Sequence, residues 1–198
     1  MSYLSKMEYA ITPDGSYKVI RNCGKCGCKS TYVNTNNFRI NANGNRVDVW
    51  LIYQCQKCKH TYNLTIYERI RPADIKKEYD RFLKNDLALA VEYGNKKELF
   101  TKNKAEIDRE SITYHLTTAD SKKLERAEAI HIYNPYEIKL RVDKILSEIL
   151  SLNRNQIKQL IEDGKIKVAN TYLARNTEII LSLCEELTIY GIKKASGN

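Results

Sequence analysis

No stretch of this 198-residue chain is apolar over the length of a signal-peptide core, and no window approaches a membrane span. That pattern predicts a cytoplasmic protein with no membrane partner, whose thiols live in a reducing compartment. Missing too are a Gly-rich phosphate loop, a His-Glu-x-x-His pair, a nucleophile elbow and any persuasive pair of carboxylates, so catalysis is not indicated. His115 and His131 sit in apolar alternating runs and read as structural residues. There is no internal repeat and no low-complexity tract. Large aromatics other than tyrosine are scarce, 3 Phe and 1 Trp against 14 Tyr. Tyrosines at strand spacing, such as Tyr32, Tyr53, Tyr62 and Tyr67, read as packing residues with wet hydroxyls, and Trp50 reads as core.

Against these absences stand two Cys-x-x-Cys pairs, Cys23-Gly-Lys-Cys26 and Cys55-Gln-Lys-Cys58, with 28 residues between them. Two tight turns that each present two thiolates can close a tetrahedral site, because zinc favours four soft ligands and imposes no further geometry. A closed set of four cysteines leaves no position for water, so one structural zinc ion is expected. Cys28 and His60 are spare ligands that can substitute. A dithiol redox pair would normally open a helix in a βαβ setting, and a disulfide framework belongs to secreted proteins; neither setting is found here. Between the pairs, Phe38, Ile40 and Ala42 alternate before Asn43-Gly44, and Val47, Val49, Leu51 and Tyr53 alternate after it, which predicts a hairpin. Tyr62, Leu64 and Ile66 continue as a third strand. This is the pattern of an antiparallel zinc ribbon.

Net charge is uneven: +7 over residues 1–72, zero over 73–136 and +2 over 137–198. Lys18, Arg21, Lys25, Lys29, Lys57 and Lys59 crowd the cysteine pairs. They either balance a zinc-thiolate site or form a second nucleic-acid surface. Residues 73–136 read as a helical connector with short strands. A helix is expected over Ala73–Leu83, a second capped by Asp86 and ending at Gly94, and a third over Lys96–Thr101. Strands follow at Ser111–Leu116 and Ile130–Tyr133, with a charged helix over Ala119–Ala129 between them.

The last third carries Leu140-Arg-Val-Asp-Lys-Ile-Leu-Ser-Glu-Ile-Leu150 and then Asn153-Arg-Asn-Gln-Ile-Lys-Gln-Leu-Ile-Glu-Asp-Gly-Lys-Ile-Lys-Val168. Val142, Ile145, Leu146, Ile149 and Leu150 make one helical stripe, and Ile157, Leu160 and Ile161 a second. Asn153 with Gln156 forms a capping-box signature, and Gly164 stands at a left-handed C-terminal position. Arg141, Lys144, Arg154 and Lys158 fall off the apolar faces, and Lys165 and Lys167 flank Ile166 in a short strand. Such an array can follow a phosphate backbone without reading bases. Ile179, Ile180, Leu183, Cys184 and Leu187 keep a helical period, and Cys184 reads as a small packing residue.

The run Arg-Val-Asp-Lys-Ile-Leu, Asn-Arg, Leu-Ile-x-x-Gly-x-Ile-x-Val resembles the RNA-binding domain of ribosomal protein S-four. That resemblance implies contact with structured RNA by Arg154, Lys158, Lys165 and Lys167, with Arg141 and Lys144 flanking. It departs from the S-four pattern after Val168, where Ala169-Asn170-Thr171 replaces Asn-Gly. The whole order, through Asn134-Pro-Tyr-Glu-Ile-Lys-Leu-Arg-Val-Asp-Lys-Ile-Leu146, is similar to an uncharacterised bacterial family known as domain of unknown function ten-sixty-two, which implies architecture and no activity. The expectation is an α+β protein: a zinc-ribbon-like module at 1–72, a connector at 73–136 and a small α/β RNA-binding-like domain at 137–198. Non-catalytic binding of ribosomal or transfer RNA is the expected function. The alternatives are a DNA-binding regulator using the ribbon, an enzyme acting on RNA, and a protein-binding adaptor.

Overall fold

A computed structural model of the protein describes residues 6–118 and 128–182. The architecture is α+β, with two five-stranded sheets and short helices. Two compact units divide the described residues: 13–114, and 6–12 together with 115–182. The segment read as a connector is thus shared between them. Among the described residues no helix is long and apolar enough to cross a membrane.

In the first unit β2 (Lys18–Cys23), β3 (Cys28–Asn43), β4 (Arg46–Cys55), β5 (Thr61–Ile70) and β6 (Glu106–Asp108) form an antiparallel sheet in the order β5-β4-β3-β2-β6. Along β4, Val47, Val49, Leu51, Tyr53 and Cys55 are buried and alternate with half-buried Asp48, Trp50, Ile52 and Gln54. Trp50, expected in the core, therefore lies on the opposite face, because the strand period of two separates it from Val49 and Leu51. Asn43 pairs with Arg46 across the hairpin, so Gly44, at φ 62°, and Asn45 make the turn.

Helices α1 (Lys76–Leu83), α2 (Leu87–Tyr93) and α3 (Lys97–Lys102) follow a 3-10 turn at Pro72–Ile75, close to the three helices expected. The Asp86 carboxylate caps α2 by accepting from the Leu89 amide at 2.8 Å. All three phenylalanines enter this unit's core. Phe38 and Phe82 meet with centroids 4.8 Å apart, and Phe100 stands edge-on to Tyr17 and Tyr53 at 6.2 Å from each. Such pairs contribute about 0.5–1.5 kcal/mol each beyond the area they bury.

The second unit orders its sheet β7-β1-β8-β10-β9, from β7 (Tyr114–Thr118), β1 (Lys6–Pro13), β8 (Ala129–Tyr133), β10 (Asn176–Leu181) and β9 (Ile166–Lys167). β1 runs parallel to β8, while β10 runs antiparallel to both β8 and β9. Ile179 and Ile180 were expected on a helix and lie in β10, where Thr177, Ile179 and Leu181 are buried in alternation. A short apolar run satisfies either period, and here the free edge of β8 takes it up. Leu183, Cys184 and Leu187, and the charged helix expected over 119–127, lie outside the described residues.

Helix α4 (Val142–Leu150) buries Val142, Ile145, Leu146, Ile149 and Leu150, the stripe read from sequence. Helix α5 (Arg154–Glu162) buries Ile157 and Leu160. Its capping box forms, with Asn153 and Gln156 each accepting the other's amide at 2.9 Å. Gly164 takes φ 71°, and the Lys165 amide reaches back to the Leu160 carbonyl at 2.9 Å, closing the helix. Buried Asn134 shapes the loop before α4, donating to the Ile138 carbonyl and accepting its amide, both at 3.0 Å.

The long strand β3 breaks its register between Asn34 and Phe38, with Asn36 at φ 58°. That bulge docks on the helices: Asn34 Nδ2 donates to Ser16 Oγ at 2.7 Å and to the Ala90 carbonyl at 3.1 Å, and Asn85 Oδ1 accepts from the Phe38 amide. At the same point Gly94 ends α2 and accepts the Tyr17 amide at 3.0 Å. A Cβ on Gly94 would stand 2.1 Å from Ser16 Oγ and 2.9 Å from Asn34 Nδ2. Gly94→Ala should therefore destabilise the protein by about 1–3 kcal/mol, read as a lower urea midpoint at unchanged slope. An unchanged midpoint would show that this contact yields at no cost.

Candidate functional site

Both cysteine pairs sit at strand ends. Cys23 closes β2 and faces Cys28 in the first pair of β3, while Cys55 closes β4. The two turns are built alike. The Gly27 amide donates to the Cys23 carbonyl at 2.8 Å, and the Lys59 amide to the Cys55 carbonyl at 3.0 Å; Gly27 and Lys59 both take left-handed angles, φ 68° and 62°. Glycine accepts that conformation freely, whereas a lysine does so at a cost of about 1 kcal/mol.

These turns bring the ligand atoms of Cys23, Cys26, Cys55 and Cys58 within 4.8 Å of one another. Cys23 and Cys58 Sγ lie 3.5 Å apart, and Cys26 and Cys55 Sγ 3.9 Å apart. Four sulfurs at about 2.3 Å from a tetrahedral metal would stand about 3.8 Å from each other, so the set fits a metal ion. The same separations exceed the roughly 2.05 Å of a sulfur–sulfur bond, and all four are free thiols. Cys28 is exposed and turns to Ser30 Oγ at 3.7 Å; neither it nor exposed His60 belongs to the group.

The surroundings polarise the sulfurs. A hydrogen bond from the Tyr32 hydroxyl, helped by the Cys26 and Lys25 amides, lowers the Cys23 thiol to about 6. Cys55 is lowered chiefly by the Cys58 amide. Cys26 is pushed up to about 12, first by its hydrogen bond with Cys58. Four sulfurs this close can all ionise only around a cation, and binding one releases their protons.

The second cluster lies in the other unit. Asp143, in the first turn of α4, is only 7% exposed, yet two half-exposed guanidinium groups converge on it. Arg141 donates through Nε and Nη2 at 3.0 and 3.3 Å, and Arg154 of α5 through Nη2 at 2.7 Å. The Arg141 hydrogen bond, followed by that of Arg154, holds the Asp143 carboxyl at about 2 against the cost of burial. Arg141 and Lys158 also line one depression of about 280 Å³, floored by Val142 and Ile161 and closed by residues 168–171. Segment 168–173 is tied there by the Val142 amide on the Thr171 carbonyl and the Leu173 amide on the Leu140 carbonyl, both 2.9 Å.

Residues 40–172 match the family described as Protein of unknown function (DUF1062). The chain belongs to that family. The matched stretch holds Cys55 and Cys58 and the whole helical pair α4–α5, while Cys23 and Cys26 precede it. No curated protein and no solved structure matches the chain.

In this DUF1062 chain the cysteines named from spacing come together as a set. Of the six cations named from sequence, Arg141, Arg154 and Lys158 gather around Asp143 and the adjoining depression. Lys144 is exposed on α4 with its amide on Asp143 at 3.0 Å. Lys165 and Lys167 flank buried Ile166 at β9 and are not part of that depression. Sequence reasoning gave Asp143 no role; the signal was an acid two residues after Arg141 in a helix's first turn, where the backbone favours negative charge.

A lowered carboxyl stabilises the fold fully above its unfolded pKa near 4 and loses that contribution as pH falls through about 2. Asp143→Asn should thus cost about 1–2 kcal/mol at pH 7, with the gap to the parent protein closing between pH 4 and 2 in urea titrations. A gap that stays constant over that range would contradict the ion-pair account.

Proposed function

We propose that this protein binds folded RNA, such as ribosomal or transfer RNA, through the α4–α5 surface, with a structural zinc ion held by Cys23, Cys26, Cys55 and Cys58. The observation that carries the reading is the convergence of Arg141 and Arg154 on one buried carboxylate. Asp143 engages Nε and Nη2 of each guanidinium and no Nη1. Arg141 also bonds the Tyr172 side chain, and both guanidinium groups stay about half-exposed, which leaves two planar, preoriented forks accessible to phosphate. Lys158 adds a point charge one turn along α5 from Arg154, and Lys144, Lys165 and Lys167 extend the positive surface. The helix–helix–turn–strand order of 142–167 is the arrangement expected of an S-four-type domain. Side chains cannot enter the deep groove of A-form RNA, so selectivity would come from the shape of a junction and affinity from neutralised phosphates. The four-thiolate site supports zinc in preference to harder cations, which take oxygen ligands. A closed thiolate set suits a structural role, and the reducing cytoplasm is where such thiolates persist.

Filter binding of bulk transfer RNA across a salt series tests this. Arg154→Gln combined with Lys158→Gln should weaken binding by about tenfold or more near 0.1 M salt and flatten the log–log salt slope by roughly 1.5–2. Equal affinity and slope for parent and variant would remove the α4–α5 surface as the RNA site.

A further inference from the structure

The first unit carries most of the chain's positive charge: residues 13–114 hold 19 Lys and Arg against 12 acids. One groove in that unit concentrates donors suited to a nucleotide. It encloses about 470 Å³ between β2, β5 and the turn after α3, and Arg21, Asn22, Lys29, Tyr62, Lys104 and Glu106 line it. The Arg21 guanidinium lies 3.8 Å above the Tyr62 ring and 5.9 Å from Tyr32, whose rings meet edge to face at 6.3 Å. No carboxylate among the described residues pairs with Arg21 or Lys104. Lys29 is paired with Glu106 at 2.9 Å.

Two details mark the groove as more than a solvated edge. Arg21 is exposed, yet its guanidinium is seated against the Tyr62 ring at 3.8 Å, with Tyr32 at 5.9 Å. An unpaired base can stack on such a plane, which is sequence-tolerant because every base has a π-face. Lys104 holds φ 49° at the residue after the α3 cap, with its amide on the Thr101 carbonyl and the Ala105 amide on the Phe100 carbonyl. That position favours glycine or asparagine, and the lysine there sets a cation on the groove's rim against the conformational preference.

We infer that this groove, distinct from the α4–α5 surface, binds an unpaired stretch of RNA, with a base stacked on Arg21 over Tyr62 and phosphates held by Lys29 and Lys104. Asn22 then offers the base edge an amide partner, and Glu106 keeps Lys29 positioned in the groove. The inference rests on the proposed RNA reading only for the class of ligand, since its residues belong to a different unit.

The test is fluorescence anisotropy of labelled oligouridine with the full-length, metal-loaded chain and three variants. Arg21→Ala should weaken oligouridine binding about tenfold. Lys104→Gly should also weaken it, severalfold, while raising the midpoint of thermal unfolding because it relieves the left-handed lysine. Arg154→Gln with Lys158→Gln should leave oligouridine binding unchanged, whatever it does to transfer RNA, which separates this groove from the proposed site. Metal content equal to the parent's shows that Arg21→Ala and Lys104→Gly keep the fold of the first unit, and parent-like circular dichroism shows the same of the Arg154→Gln, Lys158→Gln variant. Parent-like oligouridine affinity in both Arg21→Ala and Lys104→Gly, or no binding by the parent, overturns the inference.

Discussion

Four sulfurs within 4.8 Å of one another form the constraint on which the first unit depends. They come from two turns built to the same design, one joining β2 to β3 and the other β4 to β5, so a cation shared by them would tie two hairpins at one end of the sheet. The sheet's buried face is held differently, by α1–α3 laying Phe82, Tyr93 and Phe100 on it. A unit of this size buries modest apolar area, and a thiolate–metal clasp would supply stability that a small core cannot. The sulfurs also touch the neighbouring groove: Tyr32, hydrogen-bonded to Cys23, is one of the two rings beside Arg21.

The second unit solves a related problem with opposite charges. There a buried carboxylate, Asp143, gathers Arg141, the N-cap of α4, and Arg154 of α5, and both arginines stay about half-exposed. One counter-charge thus holds two like charges together, as a metal ion would hold the four sulfurs of the first unit. Such preorganisation reduces the ordering that a bound polyanion would otherwise have to impose.

Much of this was legible in the chain. Cys-x-x-Cys spacing named the four sulfurs, the capping box named the start of α5, and the five-residue stripe Val142–Leu150 matched the buried face of α4. What escaped depended on long-range pairing. Nothing local announces that β1 will lie parallel to β8, or that β6 will add three residues to the edge of β2. Ile179 and Ile180 kept a helical spacing that the edge of β8 overrode. Trp50 was assigned to the core by residue type, although its odd–even position opposite Leu51 already placed it on the other face. The arginine forks were visible as charges, but their convergence on Asp143 required the α4–α5 packing to be known.

Zinc K-edge X-ray absorption on the full-length protein, purified under reducing conditions, addresses the clasp most directly. The account predicts one zinc per chain with four sulfurs at about 2.3 Å and no lighter ligand in its first shell. A nitrogen or oxygen ligand in that shell, or a folded chain that holds no metal, would contradict it.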